Sequence, residues 1–68
     1  MNNEKLQHSL RKFLKQVGIT SQQAIEKAIE QALREGRLKG DEQLHAVMHL
    51  ELESLGLAHK VEADIELE

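Results

Sequence analysis

The spacing of apolar residues changes period along this chain, and that change commits it to a mixed architecture of helix and strand. In residues 3 to 17, Leu6, Leu10, Phe13, Leu14 and Val17 mark one helical face. Gly18 followed by Ile19 reads as a Schellman stop, and Thr20 with Gln23 as the capping box of a second helix. That helix, over about 21–35, carries the stripe Ala24, Ile25, Ala28, Ile29, Ala32 and Leu33 and stops at Gly36. From Leu57 to Leu67 the pattern is different. Leu57, His59, Val61, Ala63, Ile65 and Leu67 alternate with Ala58, Lys60, Glu62, Asp64 and Glu66, the period of an amphipathic strand.

Residues 43–53 fit two templates, because Leu44, Val47, Met48, Leu52 and Leu55 suit a helix while Leu44, Ala46, Met48, Leu50 and Leu52 alternate as in a strand. A strand over about 57–67 needs a partner, so the alternation decides for strand. A two-residue turn at Leu55-Gly56 then sets Glu51 against Lys60, His49 against Glu62 and His45 against Glu66. A four-residue loop from Glu53 to Gly56 is the alternative, and it sets His49 against Lys60 and Glu51 against Ala58. The tighter turn gives the better charge pairs and is preferred here. The expected fold is therefore α+β, in the order ααββ, with two helices packed on one face of an antiparallel hairpin. Two open strand edges invite an antiparallel match between copies, giving a four-stranded sheet in a homodimer. Val47, apolar on the otherwise polar face, points to a contact there.

At 68 residues the chain has material for one domain, 1–68, and a small core. It has no Cys, so neither a disulfide framework nor a Cys-based zinc site can brace it. Self-association is the remaining remedy, and a reducing cytoplasm suits the composition. The first residues lead into a charged amphipathic segment without an apolar h-region, and the longest apolar run is Ala46-Val47-Met48. Neither export nor a membrane partner is expected. The net charge of −3 is unevenly spread. Residues 1–20 hold Lys5, Arg11, Lys12 and Lys15 against Glu4 alone, whereas residues 41–68 hold eight acids against Lys60.

Gly18-Ile19-Thr20-Ser21-Gln22-Gln23 has the look of a DNA-reading helix-turn-helix. That motif wants a small residue four positions before its Gly and an apolar one nine after it, where this chain has Leu14 and Lys27. Its reading helix would also present Glu26, Glu30 and Glu35 to phosphate. Nucleic acid is thus the lesser alternative, led by the basic face of the first helix, where Lys5, His8, Arg11, Lys12 and Lys15 recur at helical spacing. Phe13 lies on the apolar stripe and leaves no aromatic for base stacking.

No metal site is expected. On a strand His45 and His49 stand roughly 13 Å apart, too far to share one ion. His59 falls on the apolar face opposite Leu50 or Leu52, as a partly buried histidine. No cofactor is expected, since the glycines at 18, 36, 40 and 56 all mark stops or turns rather than a phosphate loop. Ser9, Ser21 and Ser54 have no His and carboxylate at a spacing that would activate them, so an enzyme is not expected. The candidate interaction surface comprises Lys5, Arg11, Lys12, Lys15 and Val47, meeting a second copy at the hairpin edge or a protein partner of unknown identity.

The segments LRKFLKQVGITSQQAIEKAI, GRLKG and LGLAHKVEADIELE together resemble a small uncharacterised family of bacterial proteins of about this length, defined as a domain of unknown function. The resemblance spans nearly the whole chain. It implies a bacterial cytoplasmic protein with the order helix, helix, hairpin, and it implies no activity, ligand or site residue. The function expected is a small non-catalytic interaction or adaptor module.

Overall fold

The computed structural model describes residues 1–68. They form helix α1 over Asn3–Arg34, strand β1 over Gln43–Leu52, a 3-10 turn over Glu53–Leu55 and strand β2 over Leu57–Glu66. Two compact units result, Met1–Arg37 and Leu38–Glu68. The class is α+β with a β-hairpin, but the expectation of two helices was wrong. One helix of 32 residues runs through the segment where a turn was placed.

Three observations explain why Gly18 does not stop it. Gly18 is not among the glycines with positive φ, so it supplies no left-handed residue. Thr20 does not cap a new helix; its hydroxyl Oγ1 donates to the Gln16 carbonyl at 2.8 Å, the back-bond of a residue inside a helix. The phase of the stripe is also unbroken, because Val17, Ser21, Ala24 and Ala28 continue at intervals of three and four, with Ile25 beside them and only the small Ser21 polar. A helical Gly costs only about 1 kcal/mol relative to Ala, too little to end a ladder with good helix formers on both sides.

The ends of α1 are sharper than its middle. The Asn2 side chain accepts from the Lys5 backbone N–H at 3.0 Å, which caps the first turn. At the other end Gly36 adopts φ 76°, while Gly36 N–H donates to the Leu33 carbonyl and Arg37 N–H to that of Ala32. These are the two bonds of a Schellman motif, at Gly36, where the sequence pattern also stops. Glu35 at the C-cap lies beside the Arg37 guanidinium at 2.6 Å. Hydrogen bonds from Gln31 first, and Arg37 second, hold its carboxyl below the usual carboxylate range.

In the second unit β1 and β2 pair antiparallel from Gln43 opposite Glu66 to Leu52 opposite Leu57. The strands follow the alternation, but the preferred tight turn does not form. Glu53–Leu55 coil into a 3-10 turn, and Gly56, at φ 62°, closes the four-residue loop by donating its N–H to the Glu53 carbonyl. Leu-Gly is a poor type I′ pair, whereas Glu-Ser-Leu takes the right-handed region readily and Gly takes the left-handed one. The cross-strand pairs change accordingly: His45 faces Asp64, Val47 faces Glu62, His49 faces Lys60 and Glu51 faces Ala58. The other face is apolar, with Leu44 on Ile65, Ala46 on Ala63, Met48 on Val61 and Leu50 on His59. His59, expected to be partly buried, is exposed.

Before β1, the Glu42 carboxylate accepts the backbone N–H of Lys39 and of Gly40, each at 2.9 Å, and so closes the loop between them. These two bonds lower the Glu42 pKa from its ordinary value, the Lys39 bond most. A lowered carboxylate pKa gives the folded loop an advantage present above the ordinary value and lost as pH falls through the lowered one. Amide exchange at Lys39 and Gly40 should therefore show protection at neutral pH that disappears in acid, and Glu42→Gln should reduce it at pH 7. Protection that persists unchanged in the Gln variant would contradict this role of the carboxylate.

Burial is sparse. Ala32, 5% exposed, is the one buried apolar residue, and no polar or charged residue is buried.

Candidate interaction surface

Helix periodicity divides the surface of α1 into two long faces. One is the apolar stripe through Leu6, Leu10, Phe13, Leu14, Val17, Ile25 and Leu33, open to solvent for most of its length. Leu6 is 39%, Phe13 48% and Leu14 56% exposed. At a rise of about 1.5 Å per residue, α1 is roughly 48 Å long. An apolar strip of that extent in water is normally a contact surface, because scattered single residues are common on surfaces and continuous ones are not.

The opposite face is polar, basic in its first half and of mixed charge in its second. Lys5, His8, Lys12 and Lys15 follow one another at intervals of three and four, with Arg11 beside them, and none of the four Lys and Arg residues is in an ion pair. Beyond them come Glu26, which accepts from Gln22 Nε2 at 2.8 Å, and Glu30, with Lys27 and Arg34 among them. The helix thus brings together Lys5, Arg11, Lys12 and Lys15, as the periodicity of its first half expected. Between the two zones lies a shallow, open depression lined by Lys12, Lys15, Gln16, Ile19 and Thr20. Ile19 is 48% exposed among these polar neighbours. Reading Gly18 as a stop had assigned Ile19 to a helix end and a staple; its seven-residue spacing from Lys12 is the signal that places it on the basic face.

Val47 belongs to the other unit, on the polar face of the hairpin, and is 43% exposed. Across β2 from it stands Glu62, whose carboxylate is engaged on both sides: Lys60 Nζ at 3.3 Å and His45 Nε2 at 3.7 Å. His45 Nδ1 also meets Asp64 Oδ1 at 3.0 Å. All these groups are about half exposed, so each pair contributes little, of the order of 0 to 1 kcal/mol. They organise the polar face more than they stabilise it.

No cluster of three or more His, Cys, Asp or Glu residues is arranged to hold a metal ion. Both strand edges of the hairpin are without a neighbouring strand, since the sheet has two strands only. No helix is long and apolar enough to cross a membrane. The two units offer apolar, basic and strand-edge surfaces. A family model described as "Family of unknown function (DUF6494)" matches residues 1–68, in keeping with the family resemblance of the sequence segments. No curated protein and no solved structure matches the chain.

Proposed function

Since the chain belongs to DUF6494, a family of unknown function, its own surfaces must carry the functional reading, and we propose that it is a small non-catalytic interaction module that self-associates in the cytoplasm. One observation carries this: an amphipathic helix of 32 residues leaves its apolar stripe exposed, and Ala32 alone is buried. Helices in proteins owe most of their stability to packing of that stripe. A two-stranded hairpin is itself marginal in water. Both units therefore gain from a partner, and a second copy brings the same apolar surface in the same amount. Burying the rest of a half-exposed Leu or Phe contributes on the order of 1 kcal/mol, and two copies supply many such residues against the cost of association.

The basic half of the polar face supports a polyanion as a second reading, because its four Lys and Arg residues are unpaired. It ranks below self-association because beyond Lys15 the same face sets Glu26 and Glu30 against Lys27 and Arg34 and is no longer basic.

Folding and association should then be linked by mass action. Helical ellipticity and thermal midpoint should both rise as protein concentration increases from a few micromolar to a few hundred, with sedimentation giving a multiple of 7.7 kDa. A monomer of constant helicity and constant midpoint over that range would overturn the reading.

A further inference from the structure

We propose that two copies pair through their β1 edges, antiparallel and with Met48 on the two-fold axis, to make a four-stranded sheet in the order β2, β1, β1, β2. This rests on the self-association reading above and specifies which edge and which register that association uses.

The choice of edge comes from charge. On β2 the polar-face residues are Lys60, Glu62, Asp64 and Glu66, so two β2 edges would gather carboxylates in excess on one face. Like charges set opposite or diagonal across a sheet are destabilising. On β1 the corresponding residues are Gln43, His45, Val47, His49 and Glu51, with a single acid per copy. A pairing of β1 with β2 of another copy is heterologous and leaves each pair with two free edges, so it would go on to a larger ring or an open filament. The β1 to β1 contact is self-complementary and closes at two.

The register follows from parity and then from side chains. Even-numbered residues of β1 lie on the apolar face and odd-numbered ones on the polar face, so the two numbers in each opposed pair must sum to an even value for the faces to match. Centring on Met48 keeps every residue from Leu44 to Leu52 paired. Polar Glu51, which faces only Ala58 within its own hairpin, then acquires His45 of the second copy on its free side. On the apolar face, Ala46 is opposed by Ala63 in its own hairpin and forms a low point. Leu50 of the second copy fills it. Val47 stands beside His49 in this register, which puts the apolar residue of the polar face inside the contact. The neighbouring register, centred on Val47, sets His45 against His49 and leaves Glu51 against Gln43.

The test uses the absence of native cysteine, which makes single engineered thiols unambiguous. Met48→Cys, Val47→Cys, Val61→Cys and Leu14→Cys are prepared in the full chain and oxidised mildly under native conditions, with sedimentation of the unmodified protein alongside. Met48→Cys should convert to a covalent dimer at least tenfold faster than Val61→Cys or Leu14→Cys, and the cross-linked protein should keep its circular dichroism spectrum. A dimer by sedimentation whose cross-linking favours Val61→Cys or Leu14→Cys overturns the β1 assignment while leaving self-association standing. Faster coupling of Val47→Cys than of Met48→Cys overturns the register. A monomer by sedimentation overturns both readings together.

Discussion

Gly18→Ala should stabilise the protein by about 1 kcal/mol, and Gly18→Pro should destabilise it by about 3 kcal/mol or more. The sign of the first change is the informative part. Gly18 lies in the interior of α1 without positive φ, and a methyl group added there meets nothing within 4 Å. Alanine therefore gains helix propensity and loses nothing. For a chain of this size a gain of 1 kcal/mol raises the thermal midpoint by roughly 4–8 °C at fixed protein concentration. Proline would remove the N–H bonded to the carbonyl four residues back and clash with that carbonyl, splitting the helix near its centre. Melting followed at 222 nm checks both. Were Gly18 a left-handed stop between two helices, alanine would lower the midpoint instead, so a fall rejects the continuous helix.

The second large effect is at Gly56, where the backbone is left-handed at φ 62°. A side chain added there has open space around it, so the cost is conformational alone, about 1–2 kcal/mol for an ordinary residue and more for a β-branched one. Gly56→Val acts on a two-stranded hairpin with little stability to lose. Cross-strand nuclear Overhauser contacts between Leu52 and Leu57, and between Leu50 and His59, should weaken or vanish. The amide shifts of residues 3–34 should change little, because the turn lies in the other unit. Asn tolerates the left-handed region, so Gly56→Asn should restore most of the hairpin signals. Hairpin contacts of equal strength in the Val variant would contradict the four-residue turn.

How far the sequence discloses the fold depends on the kind of signal. The hairpin was legible because the alternation of Leu57 to Leu67 has no helical counterpart, and the ambiguous stretch from Leu44 was settled by that strand's need for a neighbour. Its register was not, since favourable charge pairs such as Glu51 with Lys60 weigh less than the backbone preference of Gly56. The helix break was misread for a related reason. Gly18, Ile19, Thr20 and Gln23 match a stop and a capping box position by position, yet the phase of Val17, Ser21 and Ala24 passes through them intact. A helix interior and a helix end differ there by about 1 kcal/mol, and the good helix formers on both sides carry the ladder across that difference. Of the interaction surface, the grouping of Lys5, Arg11, Lys12 and Lys15 was legible from spacing within one helix, whereas Ile19 was hidden by the same misreading. Val47 was singled out as the one apolar residue on a polar strand face, and that exposure is what the structure retains.

The uninterrupted stripe also sets the geometry available to any helix laid along it. Leu6, Val17 and Ala28 recur at intervals of eleven residues, as do Leu10, Ser21 and Ala32, a repeat of about 3.67 residues per turn. That lies just above the roughly 3.6 residues per turn of a straight α-helix, so the ridge drifts slowly and favours a shallow right-handed wrap in place of the left-handed one of a heptad coil. Along both rows the side chains shrink toward the C-terminal end. The same half also carries Ile25 and Leu33, so a helix laid there meets a groove of small residues beside bulky ones.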